Sequence, residues 1–208
     1  REQLQSYDRA AAQMREFKVP ALWDRKDPHS YMLFGLLDGT GNDVDRDPLH
    51  ATNVAKLRDQ IEKLRADGFD NIDFVYRPGP GTQTNPIENT VDGALGRTSL
   101  ARAEDMYAQL AKRIEEILIA DPQARISTHL EGFSRGASTV PLVARMIHER
   151  GFPDLKSEVE SLDAHGNTVR TYTRYHIAPG QMPMSVGLYD PVPTGYLQDF
   201  FDRRLPPS

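Results

Sequence analysis

Gly132-Phe133-Ser134-Arg135-Gly136 is the stretch that decides the fold, because it lies between a strand-like and a helix-like segment. Residues 125–131 before it carry the β-branched and apolar residues that are typical of a strand. Residues 137–150 after it place apolar side chains at helical spacing. A G-x-S-x-G pattern in this setting predicts a nucleophile elbow, a tight strand-to-helix turn whose strained serine requires small neighbours.

The elbow predicts a serine hydrolase with Ser134 as the nucleophile, at the positive end of the following helix. Acyl transfer also needs hydrogen-bond donors for the oxyanion. One donor is the N–H of the residue after the nucleophile, here Arg135, and the second belongs to an earlier strand-to-helix loop. Gly39 and Thr40 are the candidates for it, because glycine lets a backbone N–H approach a substrate closely. The alternative for that loop, residues 38–43, is a tight turn that only caps the next helix.

Strand-like and helix-like segments alternate along the chain, which predicts an α/β fold. The fold class that we expect is α/β-hydrolase-like, with a mostly parallel sheet and helices on both faces. The strands are predicted at Tyr31–Leu37, Asn71–Arg77, 125–131 and Met184–Tyr189, and the helices at Thr52–Ala66, Leu100–Ile119 and 137–150. A long loop is predicted over Pro78–Gly96, and a hairpin closed by Gly166-Asn167 pairs Val159–Leu162 with Val169–Ile177.

The chain of 208 residues is long enough for one domain with a sizeable core. We expect a helical extension in residues 1–30, with a helix at Glu2–Phe17, and a hydrolase domain over residues 31–208 that is incomplete at its C-terminus. A net charge of −5 argues against a nucleic-acid partner, which would require concentrated Lys and Arg. The sequence contains no cysteine and no apolar run as long as a membrane span, and we expect no signal peptide.

Four polar loops follow the carboxyl ends of the predicted strands, so we expect them to lie close together. Ligands of open α/β sheets bind beyond those ends. The loops are residues 38–43, 78–84, 132–136 and 190–195. The expected order of a catalytic triad in this architecture is serine, acid, histidine. Asp190 at the end of the last predicted strand is the preferred acid, and Asp163 and Asp199 are weaker candidates because neither follows a clear strand.

All six histidines precede Asp190, so none fits the expected order. His148 is about 20 Å along the helix from Ser134, and His129 is interpreted as structural. His50 and His176 stay open, although each would break the order. Our preferred expectation is therefore that the general base lies beyond Ser208.

The acidic residues 43, 45 and 47 alternate as in a calcium loop, but the rest of that pattern is missing. Pro48 stands where the loop needs glycine, and Val54 stands where it needs the bidentate glutamate. We therefore predict a solvated acidic turn, with no metal site and no cofactor.

Four blocks in this order carry a family resemblance: Leu37-Asp38-Gly39-Thr40-Gly41-Asn42, Tyr76-Arg77-Pro78-Gly79-Pro80-Gly81-Thr82, Gly132-Phe133-Ser134-Arg135-Gly136-Ala137 and Tyr189-Asp190-Pro191-Val192. The chain resembles the α/β-hydrolase family of the type VI secretion lipase effectors, over about residues 31–195. The family has Trp and Thr where this chain has Tyr189 and Pro191, and its late histidine has no counterpart before Ser208. Ser134 and Asp190 carry over as nucleophile and acid.

The resemblance implies a serine esterase or phospholipase that hydrolyses membrane glycerolipids. It also implies an antibacterial effector that is made in the cytoplasm, is secreted without a signal peptide and acts at a target-cell membrane. The implied partners are a phospholipid or other acyl-ester substrate, an immunity protein and a component of the secretion apparatus. Two alternatives stay open: a serine hydrolase of soluble esters, and a catalytically impaired hydrolase-like module used for binding or delivery.

Overall fold

The computed structural model describes residues 21–80 and 92–192, with only the backbone described for residues 92–98. The predicted helix Glu2–Phe17 lies outside the described residues, as do Asp199 and the second halves of the loops 78–84 and 190–195. No helix among the described residues is long and apolar enough to cross a membrane.

Among the described residues, four parallel strands form the central sheet: Ser30–Leu37 (β1), Ile72–Arg77 (β2), Arg125–Phe133 (β3) and Met184–Tyr189 (β8). Their spatial order is β2-β1-β3-β8. The predicted mostly parallel sheet is therefore confirmed. The elbow strand is two residues longer than predicted, since β3 pairs with β8 as far as Phe133.

Three helices cover both faces of this sheet, as predicted. They are α1 at Asn53–Ala66, α2 at Asp92–Ala120 and α3 at Arg135–Arg150. Alternate residues of β1 face opposite layers, because successive side chains of a strand point to opposite sides. Leu36 packs with Val54 and Ile61 of α1, whereas Leu33 and Leu37 join a larger core with residues of α2 and α3.

The order of the strands places a crevice between β1 and β3. The chain passes from β1 outward to β2 and then returns across β1 to β3, so the direction of winding reverses between these two strands. Ligands of open α/β sheets bind at such a switch point, beyond the carboxyl ends of the strands. In this sheet Leu37 is paired with Gly132, so the loop after β1 faces the elbow after β3.

The predicted loop Pro78–Gly96 is wrong at its end, because α2 begins at Asp92 and includes Gly93 and Gly96. A glycine costs about 1 kcal/mol in a helix. Extending a helix that has already formed adds one hydrogen bond for each residue fixed, and this cooperative gain offsets that cost.

The predicted hairpin is present, but its second strand is split. Glu158–Leu162 (β5) pairs with Thr168–Tyr172 (β6) in an antiparallel ribbon. The chain then bends, and Tyr175–Ile177 (β7) pairs instead with Phe152–Pro153 (β4). At the break the Ser157 hydroxyl donates to the Asp154 carbonyl at 2.7 Å and accepts the Arg174 N–H at 3.0 Å, so Arg174 bonds to a side chain in place of a strand partner.

Shortening Leu130 tests the core between the sheet, α2 and α3. Leu130 is fully buried on β3, so Leu130→Ala is expected to lower the free energy of unfolding by about 2–5 kcal/mol through lost burial and a cavity. Urea unfolding measures the loss. Leu162→Ala is the matched control, because Leu162 is 71% exposed on the ribbon and its truncation is expected to change stability by less than about 0.5 kcal/mol. Equal losses in the two variants would contradict this core.

Candidate active site

Ser134 occupies a strained backbone conformation at the junction of β3 and α3. Its φ is 55° and its ψ is −118°, a region that costs a residue with a side chain of the order of 1–3 kcal/mol. The next residue already begins α3. The turn that the G-x-S-x-G pattern predicts is therefore the turn that the chain makes, and Ser134 is at its apex.

The two glycines of the pattern are required by close backbone contacts. A Cβ on Gly132 would lie 2.6 Å from the Ala137 nitrogen, and a Cβ on Gly136 would lie 2.1 Å from the Leu37 carbonyl oxygen. Both distances are far inside van der Waals contact. The missing side chains thus let α3 start directly against the end of β1.

The amino end of α3 offers unpaired donors beside Ser134. The first N–H groups of a helix have no intrahelical acceptor, and the Arg135 N–H donates to no described residue. The Ser134 hydroxyl makes no capping hydrogen bond to the helix. The positive end of the helix dipole favours negative charge at this place.

The loop after β1 lies directly against the elbow. A Cβ on Gly39 would be 2.7 Å from the Phe133 ring and 3.1 Å from the Ser134 Cβ. Two backbone hydrogen bonds join the loop after β2 to the loop after β1. The Gly41 N–H donates to the Pro80 carbonyl at 2.9 Å, and the Gly79 N–H donates to the Asn42 carbonyl at 2.8 Å. The described parts of the first three predicted loops therefore converge.

A buried carboxylate lies under this loop, and sequence reasoning missed it. Asp38 is 1% exposed, and its Oδ1 accepts the Gly39 N–H at 2.8 Å. Its Oδ2 accepts the Tyr76 hydroxyl at 2.8 Å and the Thr52 hydroxyl at 3.1 Å. Burial and the bond to Asp38 raise the pKa of the Tyr76 hydroxyl, which stays a donor. Of the two predicted loop donors, the Gly39 N–H is thus already engaged, whereas the Thr40 N–H has no acceptor among the described residues.

Arg102 of α2 hydrogen-bonds to both the loop after β1 and the loop after β2, from the face of the sheet opposite α1. Its guanidinium donates to the Pro78 carbonyl at 2.8 Å and to the Asp38 carbonyl at 3.4 Å. Burial lowers the pKa of this guanidinium. No sequence signal separates Arg102 from the other charged residues of its helix, so only the fold shows this contact.

The acid loop after β8 is tied to the elbow through its backbone. The Ser134 N–H donates to the Tyr189 carbonyl at 2.9 Å, and the Val192 N–H donates to the Ser134 carbonyl at 3.2 Å. Ser138 of α3 adds a bond of 2.6 Å from its hydroxyl to the Val192 carbonyl. Asp190 lies within this clamp at a φ of 46°, exposed to solvent. The fold thus brings the predicted acid loop to the predicted nucleophile.

No histidine hydrogen-bonds to Ser134 or Asp190 within residues 21–80 and 92–192, which contain all six histidines of the chain. His129 bonds to the Ser185 hydroxyl at 2.8 Å and to Glu131 at 3.2 Å. It lies five residues before Ser134 on β3, about 16 Å along the strand. The open candidate His50 bonds to Asp47 at 2.9 Å.

Two other features lie away from the elbow. In the acidic turn, Asp45 pairs with Arg58 at 2.8 Å, and this hydrogen bond lowers the pKa of the Asp45 carboxyl. A cavity of about 690 Å³ lies at the opposite end of α3, lined by Tyr107, Arg150 and Tyr175 among others. α3 is 16 residues long, so this cavity is about 24 Å from Ser134.

A parallel sheet with helices on both faces and a serine elbow at its switch point defines the α/β-hydrolase-like class of proteins. The family model described as T6SS, phospholipase effector Tle1-like, catalytic domain matches residues 33–181. This is more than two thirds of the chain, and the chain belongs to that family. The match includes the loop after β1 and the elbow, and it ends before Asp190. No curated protein and no solved structure gives a significant match.

Adding one methyl group to Gly136 tests the contact between α3 and β1. Replacing glycine by alanine within an unobstructed helix stabilises a protein by about 1 kcal/mol. Gly136→Ala is expected to do the opposite and to lower the free energy of unfolding by about 1–3 kcal/mol, because its Cβ would overlap the Leu37 carbonyl. Urea unfolding checks the sign. A variant as stable as the parent would show that the elbow does not pack against β1 as described.

Proposed function

We propose that this chain hydrolyses acyl esters of membrane glycerolipids, with Ser134 as the nucleophile. The observation that carries the proposal is the conformation of Ser134: a non-glycine residue with φ of 55° at a strand-to-helix turn, beside unpaired N–H groups. Such strain is retained where function uses it. Membership in a phospholipase effector family supports the same chemistry.

The proposed reaction is acyl transfer in two steps. The Ser134 oxygen attacks the ester carbonyl, its proton passes to a general base, and the carbonyl oxygen becomes an oxyanion. Backbone N–H groups of Arg135 and of the Gly39-Thr40 loop stabilise that oxyanion. The tetrahedral intermediate releases the alcohol, which takes the proton, and leaves an acyl-serine. Water then attacks the acyl-serine by the same route and frees the fatty acid.

Asp190 is proposed as the acid that orients the base. Its support is the clamp of Ser134, Ser138 and Val192, which holds its loop on the elbow. Asp190 forms no hydrogen bond within the described residues, which leaves its carboxylate available to an imidazole N–H. The proposal assigns the base to none of the histidines of residues 21–80 and 92–192.

The proposed substrate is a phospholipid. The family description names a phospholipase effector. Arg135 supports this choice, because it follows the nucleophile directly in the chain and its guanidinium forms no ion pair with a described residue. A guanidinium binds phosphate through two parallel hydrogen bonds. We further propose that the protein is an antibacterial effector delivered by type VI secretion into a target cell, with an immunity protein as its partner in the producing cell.

A fluorophosphonate probe tests the nucleophile, because it labels an activated serine without requiring turnover. Ser134→Ala is expected to abolish labelling. Ser185→Ala is the matched control and is expected to label like the parent: the Ser185 hydroxyl bonds to His129, which bonds to Glu131, so Ser185, unlike Ser134, has a histidine partner among the described residues. Loss of labelling in Ser185→Ala, with labelling kept in Ser134→Ala, would show that the nucleophile is Ser185 and not Ser134.

The substrate class is tested separately with the full-length protein. Release of fatty acid from phospholipid vesicles is expected to exceed hydrolysis of a soluble short-chain ester. A preference for the soluble ester would favour the alternative of a serine hydrolase that does not act on membranes.

The role of Asp190 is tested with the same assay. Asp190→Asn is expected to lower kcat by orders of magnitude, because the acid orients the base.

A further inference from the structure

Asp38 is a buried charge that the proposed acyl transfer does not use. Its carboxylate forms no salt bridge with a Lys, Arg or His among the described residues. Its partners are instead three neutral donors, the Gly39 N–H and the hydroxyls of Tyr76 and Thr52. The Arg102 guanidinium is an opposite charge that acts on Asp38, but it bonds to the Asp38 carbonyl and not to the carboxylate. Burying a charge without a direct ion pair is costly even when hydrogen bonds satisfy it. A residue that served only to fill this space would be apolar.

The hydrogen bonds of Asp38 fix the start of the loop from three directions. Tyr76 reaches it from β2, and Thr52 reaches it from the amino end of α1, where the same hydroxyl accepts the Ala55 N–H at 3.1 Å. Its own carbonyl is held by Arg102 of α2. The Gly39 N–H is the third donor to the carboxylate, so it is already engaged.

The orientation of the next peptide unit follows from this arrangement. The Gly39 carbonyl accepts the Asn42 N–H at 2.9 Å and lies against Gly79, where a Cβ would be 1.5 Å from the carbonyl oxygen. The described chain contains no cis peptide bond, and in a trans peptide the C=O and the N–H point in opposite directions. The Thr40 N–H therefore points away from Asn42 and Gly79, and Thr40 is exposed.

We propose that Asp38 is a positioning residue that orients the loop after β1, so that the Thr40 N–H, and not the Gly39 N–H, is the loop's oxyanion donor. Asp38 acts through the Gly39 peptide and does not touch the substrate. The inference rests on the proposed function, because it needs an oxyanion beside Ser134. Of the two loop donors that the sequence offers, Gly39 and Thr40, only Thr40 then contacts the oxyanion, and the Asp38 carboxylate serves to position it.

The test compares Asp38→Ala with Asp38→Asn in the full-length protein, using ester hydrolysis. Asp38→Ala releases the loop and is expected to lower kcat by about 10²- to 10³-fold, as loss of one oxyanion donor does, with KM little changed. Asp38→Asn is expected to keep most of kcat, because its amide oxygen accepts the Gly39 N–H and its NH₂ donates to the two hydroxyls, which can turn to accept. A folded Asp38→Ala with the parent kcat, or an Asp38→Asn as inactive as Asp38→Ala, overturns the proposal.

Thr128→Val is the control for stability alone. Thr128 is buried on β3, at the end of the sheet away from the site, so the kcat of this variant is expected to match the parent.

If Asp38→Ala does not fold, Tyr76→Phe takes its place. Tyr76→Phe removes one tether and is expected to lower kcat about tenfold, and an unchanged kcat counts against the proposal.

A backbone substitution identifies the donor directly. Replacing Thr40 by the α-hydroxy acid with the same side chain exchanges its N–H for an ester oxygen, and kcat is expected to fall by about 10²- to 10³-fold. The same exchange at Gly39 removes the bond to Asp38 and is expected to lower kcat as far as Asp38→Ala does, with no further loss when the two changes are combined. A Thr40 exchange that leaves kcat unchanged, or a further loss in the combined Gly39 and Asp38 variant, overturns the proposal. Ser134→Ala in the same series separates the two hypotheses: if it keeps turnover, the proposed function fails, whereas if it abolishes turnover and the Asp38 and Thr40 changes do nothing, only this inference fails.

Discussion

The direct contact between the end of β1 and the start of α3 is the constraint on which the rest of the structure depends. Gly136 lies so close to the Leu37 carbonyl that no side chain fits between them. The pairing of Leu37 with Gly132 fixes the height at which β1 and β3 end. The loop that follows Leu37 is therefore forced to begin beside Ser134, and every other contact at the crevice is built on that placement.

The crevice is made largely of backbone. Two of its residues have conformations or surroundings that cost free energy of folding, and burial of apolar side chains in the core offsets that cost. Ser134 is strained, and Asp38 is a charge removed from water. The four strands are held by fully buried residues on both faces, among them Leu33 toward α2 and α3 and Leu36 toward α1. Arg102 connects this apolar core to the site, since it leaves α2 beside core residues and ends on the carbonyls of two site loops.

The elbow could be predicted from the sequence because its determinants are local. The two glycines, the serine and the flanking periodicities lie within some twenty-five residues, and the resemblance of the blocks gave their order. The contacts of Asp38 could not be predicted in this way. Tyr76 is 38 positions away in the chain and Thr52 is 14 positions away, and the direction of a hydroxyl or a guanidinium depends on how the helices dock. Thr52 alone carried a local signal, as a threonine that precedes a helix.

The β5–β6 ribbon has a further consequence for how stability is distributed in the molecule. Nearly all of its residues are exposed on both faces, and a two-stranded ribbon is marginally stable in water. It follows α3 at the amino ends of the sheet strands, opposite the crevice. Its amide protons should therefore exchange with solvent far faster than those of β1 and β3. The β5–β6 ribbon should therefore open locally before the central sheet does, and it can vary in length or sequence without disturbing the crevice. Phe152 and Met182, on either side of the ribbon in the chain, are buried in the core and do not share that freedom.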